Sequence, residues 1–168
     1  MTDFLCRDAI SAFATHRGTG EEAAIVVATM TSIRWINELS PGPLNISCVP
    51  LMGGASALGL GLALAQPERQ VVVLDGDGSL LMQLGSLVTI AGAAPRNFTH
   101  IVFNNGVWFE NLVNLSVPGT GHTDYAGLAT ATGFASAHCF DTLSGWSDAL
   151  PALLAADGPS FVELVVTP

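Results

Sequence analysis

Charged residues, and basic residues above all, are scarce in this chain of 168 residues. Only 11% of the residues are charged, and five arginines, with no lysine, stand against fourteen aspartates and glutamates, which gives a net charge of −9. Typical soluble domains are roughly a quarter charged. Such a chain has no basic patch to neutralise phosphates, so we expect no nucleic-acid partner. Because hydrophobic residues make up 49% and mean hydropathy is +0.50, we expect partner chains to cover much of the surface.

The chain also lacks closely spaced cysteine pairs and long apolar runs. The three cysteines, Cys6, Cys48 and Cys139, lie far apart and form no CxxC pair. This pattern gives no iron–sulfur spacing and indicates a reducing compartment, so we expect a cytoplasmic protein. The longest apolar stretch, 53–65, is too short and too rich in glycine to span a bilayer, and no membrane partner is expected. The N-terminus lacks the basic and then apolar regions of a secretory signal.

Short apolar runs alternate with longer helical patterns along the whole chain. Continuous apolar strands in this alternation are typical of a parallel sheet that helices cover on both faces. We therefore predict an α/β fold with a doubly wound, mostly parallel sheet, in a single domain over residues 1–168. The predicted strands are 23–29, 45–48, 70–74, 99–103, 134–138 and 160–166, and the predicted helices are 4–16, 31–39, 53–65, 79–93, 124–132 and 143–155.

Two strand ends carry residues suited to a phosphate and a metal ion. The first is the run from Gly76 to Ser79, where the glycines allow a tight turn and the following helix, starting at about Ser79, directs free N–H groups to a ligand. Asp77 beside a phosphate would repel it unless a divalent cation, most plausibly Mg²⁺, lay between them. The second end supplies Asn104 and Asn105, whose amide oxygens are suitable ligands.

The spacing of these two ends is more informative than either end alone. Residues 79–103 separate them, which is one helix plus one strand, so both turns should return to the same edge of the sheet. A GDG turn, a spacer of this size and then NN resembles the signature of thiamine diphosphate enzymes. The phrases LGLGLALAQPERQVVVLDGDGSLLMQLGSLVTIAG and NNGVW resemble the diphosphate-binding domain of the decarboxylase and acetolactate synthase branch. Within it, the chain looks most like sulfopyruvate decarboxylase β subunits and phosphonopyruvate decarboxylases.

The resemblance implies a cofactor and the residues that hold it. The cofactors would be thiamine diphosphate and Mg²⁺, with Asp77, Asn105 and the carbonyl of Val107 as metal ligands. The residues that would line the diphosphate are Gly76, Gly78 and Ser79, and more loosely Thr29, Thr31 and Ser32.

Two further positions would act on the cofactor rings and the substrate. Met52 stands where the family places a bulky apolar residue that forces the two rings into a V shape, although core filling is the alternative. The carbonyl of Pro50 would accept a hydrogen bond from the aminopyrimidine. Glu110 could be a proton donor or a solvated loop charge.

The resemblance also implies that a second polypeptide completes the active site. The family takes a pyrimidine-contacting glutamate from a separate pyrimidine-binding domain, for which this chain has no room. We therefore expect a hetero-oligomer with a separate, α-type pyrimidine-binding subunit that acts on a 2-oxo acid. Trp108 and Phe109 make the loop after Asn105 bulkier than in sulfo- and phosphonopyruvate enzymes, and the loop has no arginine, which leaves the substrate open.

Several alternatives remain at this stage. A carboligase of the acetolactate synthase kind would keep the same cofactor and join two carbonyl compounds. A 2-oxo acid oxidoreductase subunit is disfavoured by the cysteine spacing. A nicotinamide-binding turn at Gly59-Leu60-Gly61 is disfavoured because it lies within a helical pattern, before the strongest strand. A non-catalytic partner subunit is disfavoured by intact Asp77 and Asn105.

Overall fold

The computed structural model describes residues 4–168, and its centre is a six-stranded parallel sheet. The order of its strands across the sheet is β2-β1-β3-β4-β8-β7, and a separate antiparallel hairpin pairs β5 with β6. The strands are β1 (Ile25–Ala28), β2 (Asn45–Ser47), β3 (Val71–Gly76), β4 (Phe98–Asn104), β5 (Val107–Trp108), β6 (Leu115–Ser116), β7 (Ser136–Phe140) and β8 (Ser160–Val165). The predicted fold class is confirmed, because every pair in the large sheet is parallel.

Helices cover both faces of the sheet. They are α1 (Cys6–Ala14), α2 (Met30–Leu39), α3 (Ala55–Ala65), α4 (Asp77–Met82), α5 (Ser86–Ala93), α6 (Tyr125–Thr132) and α7 (Leu143–Ala155). One hydrophobic core joins α1, α2 and α7 to one face, and a second core joins α3, α4, α5 and α6 to the other. None of these helices has the length and apolarity that a crossing of the bilayer requires.

The central strand β3 shows why an uninterrupted apolar run becomes a buried strand. Successive side chains of a strand point to opposite faces. Val72 and Leu74 accordingly enter the first core, while Val71 and Val73 enter the second. Because both faces are covered, all four are buried. Each such side chain contributes about 1.5–3 kcal/mol by leaving water.

The helix α3 approaches the sheet unusually closely. A side chain at Gly59 would overlap the Val73 side chain of β3, so only glycine permits this contact. Gly59 and Gly61 both lie inside α3 rather than in a turn after a strand. This placement removes the structural basis for a nicotinamide-binding turn at Gly59-Leu60-Gly61.

Two predicted segments differ from the structure. The predicted helix over 79–93 begins earlier, at Asp77, and is two helices, because Gln83 leaves the helical conformation with φ −138°. The hydroxyl of Ser86 pairs with that of Ser56 at 2.9 Å, so the second helix is tied to α3 after the break. The segment 104–122, which lies between a predicted strand and a predicted helix, contains the hairpin of β5 and β6, whose strands are only two residues long.

Candidate cofactor and metal site

The site lies at the carboxyl edge of the sheet, where the direction of winding changes. The chain leaves β1 for β2 on one side of it and returns to β3 on the other side. Ligands of open α/β sheets bind at such a switch point, outside the carboxyl ends of the strands. The ends of β1, β3 and β4 are neighbours here, and each leads into one of the predicted site segments.

The two predicted turns are in direct contact through Asp77. One oxygen of its carboxylate, Oδ2, accepts a hydrogen bond of 2.8 Å from the backbone N–H of Gly106, which follows Asn105. The other oxygen, Oδ1, accepts one of 2.7 Å from the N–H of Gly78. The prediction that both turns return to one edge of the sheet is therefore confirmed.

The Asp77 carboxyl is 2% exposed, and its environment penalises a negative charge. Burial raises the pKa of Asp77, the N–H groups of Gly106 and Gly78 lower it in part, and the nearby Asp75 raises it again. Asp77 makes no ion pair within residues 4–168. A cation beside this carboxylate would stabilise its charged form.

The turn after β4 requires glycine and is fixed at its base. Gly106 has φ +71°, and a Cβ there would lie 2.7 Å from the Cγ2 atom of Thr120. The hydroxyl of Thr120 lies within hydrogen-bond distance of the carbonyls of Gly106 and Val117. The amide oxygen of Asn105 accepts from the N–H of Val107 at 3.0 Å. The predicted ligands Asn105 and Val107 are thus held in one turn beside Asp77.

The neighbouring Asn104 is held by a residue that the sequence analysis missed. Its side-chain amide donates to Glu163 of β8 at 2.7 Å, and the other oxygen of Glu163 accepts from the N–H of Ala126 in α6 at 3.1 Å. Glu163 is 3% exposed and joins β4, β8 and α6 at the site edge. A single acidic residue in the apolar run SFVELVV was the available sequence signal.

Both carboxylates affect the ionisation of Tyr125. The tyrosine is the first residue of α6 and is buried. Burial raises the pKa of its hydroxyl, and the charges of Asp77 and Glu163 raise it further. The two buried carboxylates therefore both disfavour ionisation of this tyrosine.

The segment that contains Met52 is attached to the turn of Asp77. The N–H of Gly53 donates to the Ser79 hydroxyl at 2.9 Å, and Gly53 has φ +82°. Met52 is half-buried, and its own N–H donates to the carbonyl of Pro50 at 3.0 Å. Ser79, Met52 and Pro50 therefore lie close together. The Pro50 carbonyl already accepts one hydrogen bond from within the chain.

The loop after β1 carries the remaining residues that were predicted to contact the diphosphate. The Thr29 hydroxyl donates to Asp75 at 3.3 Å, and the Ser32 hydroxyl lies within hydrogen-bond distance of the carbonyls of Thr29 and Leu74. Both hydroxyl protons therefore have acceptors within the chain, whereas Thr31 is half-buried at the start of α2. These bonds join the start of α2 to the end of β3.

A buried pair lies beneath this loop. Asp75 is 1% exposed, and its Oδ2 atom lies 3.3 Å from Nε2 of His100, which is fully buried in β4. Its other oxygen accepts from the N–H of Gly76 and from Thr29. These contacts link the ends of β1, β3 and β4 to one another beneath the site.

Glu110 lies in the exposed loop between β5 and β6. Three residues around it, Phe109, Asn111 and Asn114, have positive φ, and Leu112 is 82% exposed. Burial, with the charge of Glu110 as a second cause, raises the pKa of the Cys6 thiol. Glu110 is half-buried, and no hydrogen bond joins it to Asp77 within residues 4–168.

The chemistry of these residues fits a magnesium-bound diphosphate. Residues 4–168 contain no group of three or more histidine, cysteine or acidic side chains that could hold a metal by itself. A hard cation there would take oxygen atoms from one carboxylate, one amide and a backbone carbonyl, and the rest from its ligand. A side chain at Gly78 would overlap Trp108, whose buried indole N–H has no acceptor within residues 4–168.

Comparisons with known proteins agree on one family. The sequence model of "Thiamine pyrophosphate enzyme, C-terminal TPP binding domain" matches residues 27–164. The phosphonopyruvate decarboxylase of Streptomyces viridochromogenes is 40% identical over 88% of this chain and 36% of its own length. The sulfopyruvate decarboxylase subunit beta of Methanothermobacter thermautotrophicus is 33% identical over 95% of this chain and 82% of its own length.

Solved structures agree with the fold. Benzoylformate decarboxylase from Polynucleobacter necessarius superposes with a TM-score of 0.76 at 22% identity, over 95% of this chain and 33% of that one. The chain thus spans about a third of the length of the phosphonopyruvate decarboxylase that it matches. By sequence and by fold, the chain belongs to the thiamine pyrophosphate enzyme family and corresponds to its C-terminal TPP-binding domain.

Proposed function

We propose that this chain is the diphosphate- and magnesium-binding subunit of a decarboxylase that acts on a 2-oxo acid. The observation that carries the proposal is the hydrogen bond from the Gly106 N–H to Asp77, because it joins the two turns that would share one metal ion. Asp77, Asn105 and the Val107 carbonyl would hold Mg²⁺. Gly76, Gly78 and Ser79 would line the diphosphate.

When bound, thiamine diphosphate supplies the electron sink that lets a 2-oxo acid release carbon dioxide. The chain's own residues would bind and orient. Met52, which is tied to Ser79 through the neighbouring Gly53, would press on the cofactor rings from one side. The carbonyl of Pro50 would accept a hydrogen bond from the pyrimidine ring. Glu110, in the loop after β5, would serve as a proton donor on the substrate side.

A separate pyrimidine-binding subunit would complete the active site. Its existence is supported by the relatives named subunit beta and by exposed apolar side chains on three helices. On α3, α4 and α5 these are Leu58, Leu64, Met82 and Val88, with exposed fractions between 40% and 61%. Monomeric proteins rarely expose contiguous apolar patches of this kind, so a partner surface is the physical explanation.

The substrate is proposed only as a class, a 2-oxo acid. The relatives named above carry phosphonopyruvate or sulfopyruvate in their names, and both substrates add a second anionic group. The loop of Trp108 and Phe109 contains no arginine that would bind such a group. A cationic group for it would have to come from elsewhere in this chain or from the partner.

The test is reconstitution with the pyrimidine-binding subunit expressed from the same genome. Carbon dioxide release from pyruvate, phosphonopyruvate and sulfopyruvate is measured with the chain alone, with the partner alone and with both. We expect release only from the mixture, dependent on Mg²⁺ and thiamine diphosphate. Full activity of either chain alone would contradict the shared site. Acyloin formed on adding an acceptor aldehyde, in place of free aldehyde, would favour the carboligase.

A further inference from the structure

The side chain of Trp108 lies directly on the backbone of Gly78. A methyl group at Gly78 would overlap the indole nitrogen and two ring carbons, so the absence of a side chain is what lets the ring approach. Trp108 belongs to β5, one residue after Val107, and Gly78 follows Asp77. The indole nitrogen therefore lies against the residue that follows Asp77, and its own residue follows Val107.

The indole N–H of Trp108 is a buried donor without an acceptor. The Nε1 atom has no hydrogen-bond partner within residues 4–168, although it is shielded from solvent. Trp146, which is buried as a whole residue, behaves differently, because its Nε1 atom donates to the carbonyl of Ala9 at 3.0 Å. Buried polar groups in folded proteins are nearly always paired, so an unpaired donor requires an explanation.

The surroundings restrict what that donor could bind. Asp77 precedes Gly78 in the chain, Val107 precedes Trp108, and the hydrogen bond from Gly106 to Asp77 joins their two turns. The carboxylate and the oxygens of the turn of Asn105 and Val107 together fit a hard cation. A ligand at this point must supply acceptor oxygens and must tolerate the carboxylate, as an anion bound through a metal ion does. A diphosphate meets both conditions, and its oxygens accept strong, charge-assisted hydrogen bonds.

From this arrangement we propose that Trp108 is a binding residue for the diphosphate group, to which its indole N–H donates. The inference rests on the proposed function and adds a side-chain contact to it. The alternative is that the ring only packs against the turn. Replacement by phenylalanine separates the two, because it keeps an aromatic ring and removes the donor.

The experiment is calorimetry on the full chain with Mg²⁺ alone, with inorganic diphosphate in Mg²⁺, and with thiamine diphosphate in Mg²⁺. In Trp108→Phe we expect affinity for both diphosphate ligands to fall about tenfold or more, as loss of a charge-assisted hydrogen bond requires. Binding of Mg²⁺ alone and the urea midpoint without ligand should stay unchanged. Trp35→Phe is the matched control, because Trp35 lies on α2 against Arg7 and Arg34.

Intrinsic fluorescence gives a second readout. A change on addition of diphosphate should persist in Trp35→Phe and vanish in Trp108→Phe. Equal diphosphate affinity in wild type and Trp108→Phe would overturn the role of Trp108 and leave the proposed function standing. A wild-type chain that binds neither diphosphate ligand in Mg²⁺, both alone and after reconstitution with the pyrimidine-binding subunit, would overturn the proposed function itself. A parallel loss of Mg²⁺ binding and of folding stability in Trp108→Phe would identify the ring as packing only.

Discussion

The replacement Asp77→Asn tests the metal site with little change of shape. In the wild type each carboxylate oxygen accepts one backbone N–H, from Gly78 at 2.7 Å and from Gly106 at 2.8 Å. An asparagine has one oxygen and one NH₂ group. One of the two backbone N–H groups would therefore lose its acceptor and face another donor.

Two opposing effects set the stability of the ligand-free variant. An unsatisfied buried N–H costs about 1–3 kcal/mol. Against this, the neutral amide removes a buried charge, whose burial already raises the pKa of Asp77. We therefore expect the free energy of unfolding without ligand to change by only about 1–2 kcal/mol in either direction.

The effect on ligand-linked stability should be much clearer. Thiamine diphosphate in Mg²⁺ at about a hundred times its dissociation constant should add about 2.7 kcal/mol to the wild type. That corresponds to a rise in Tm of roughly 5–10 °C for a chain of this size. Asp77→Asn should show no such rise, because the site would have lost its only charged metal ligand.

The assay is thermal unfolding followed by circular dichroism, with and without Mg²⁺ and thiamine diphosphate. Asp148→Asn is the matched control, because Asp148 is exposed on α7, away from the site edge, and should keep the full ligand-dependent rise. If Asp77→Asn gained the same rise as the control, the assignment of Asp77 as a metal ligand would be wrong.

Two further substitutions test the supports of the site by urea unfolding. Glu163→Gln places an NH₂ group against Asn104 or the Ala126 N–H and should lower the free energy of unfolding by about 1–3 kcal/mol. If its effect were no larger than that of the exposed control Glu68→Gln, Glu163 would have no structural role at the site. Gly106→Ala forces a side chain into positive φ and against Thr120 and should cost at least about 1–2 kcal/mol. Its control, Gly61→Ala in open space on α3, should instead stabilise by about 0.5–1 kcal/mol, and a stable Gly106→Ala would contradict the strain at the turn.

Local sequence was a good guide to the layers of the fold. The run QVVVL became the central strand β3 because uninterrupted valines suit a strand that is covered on both faces. The helices α2, α6 and α7 fall within two residues of their predicted limits. Their patterns depend on neighbours a few residues away, which a sequence displays directly.

The break between α4 and α5 was not visible in the same way. The stretch from Ser79 to Ala93 is apolar enough for one helix, yet Gln83 leaves the helical conformation. Gly53, which is distant in sequence, packs against Met82 and Gln83 at this point. A contact between segments so far apart has no local signature.

For the site, the sequence by itself determined the residue types and their distance along the chain. Asp77 and Asn105 end two strands that one helical crossover separates, and parallel strands bring such ends to one edge. Only the tertiary structure decided which oxygens and N–H groups meet there. The bonds from Gly106 to Asp77 and from Asn104 to Glu163, and the Trp108 ring on Gly78, join residues whose separation depends on how whole elements pack. Packing is decided by the complete set of buried side chains, and no single stretch of sequence contains it.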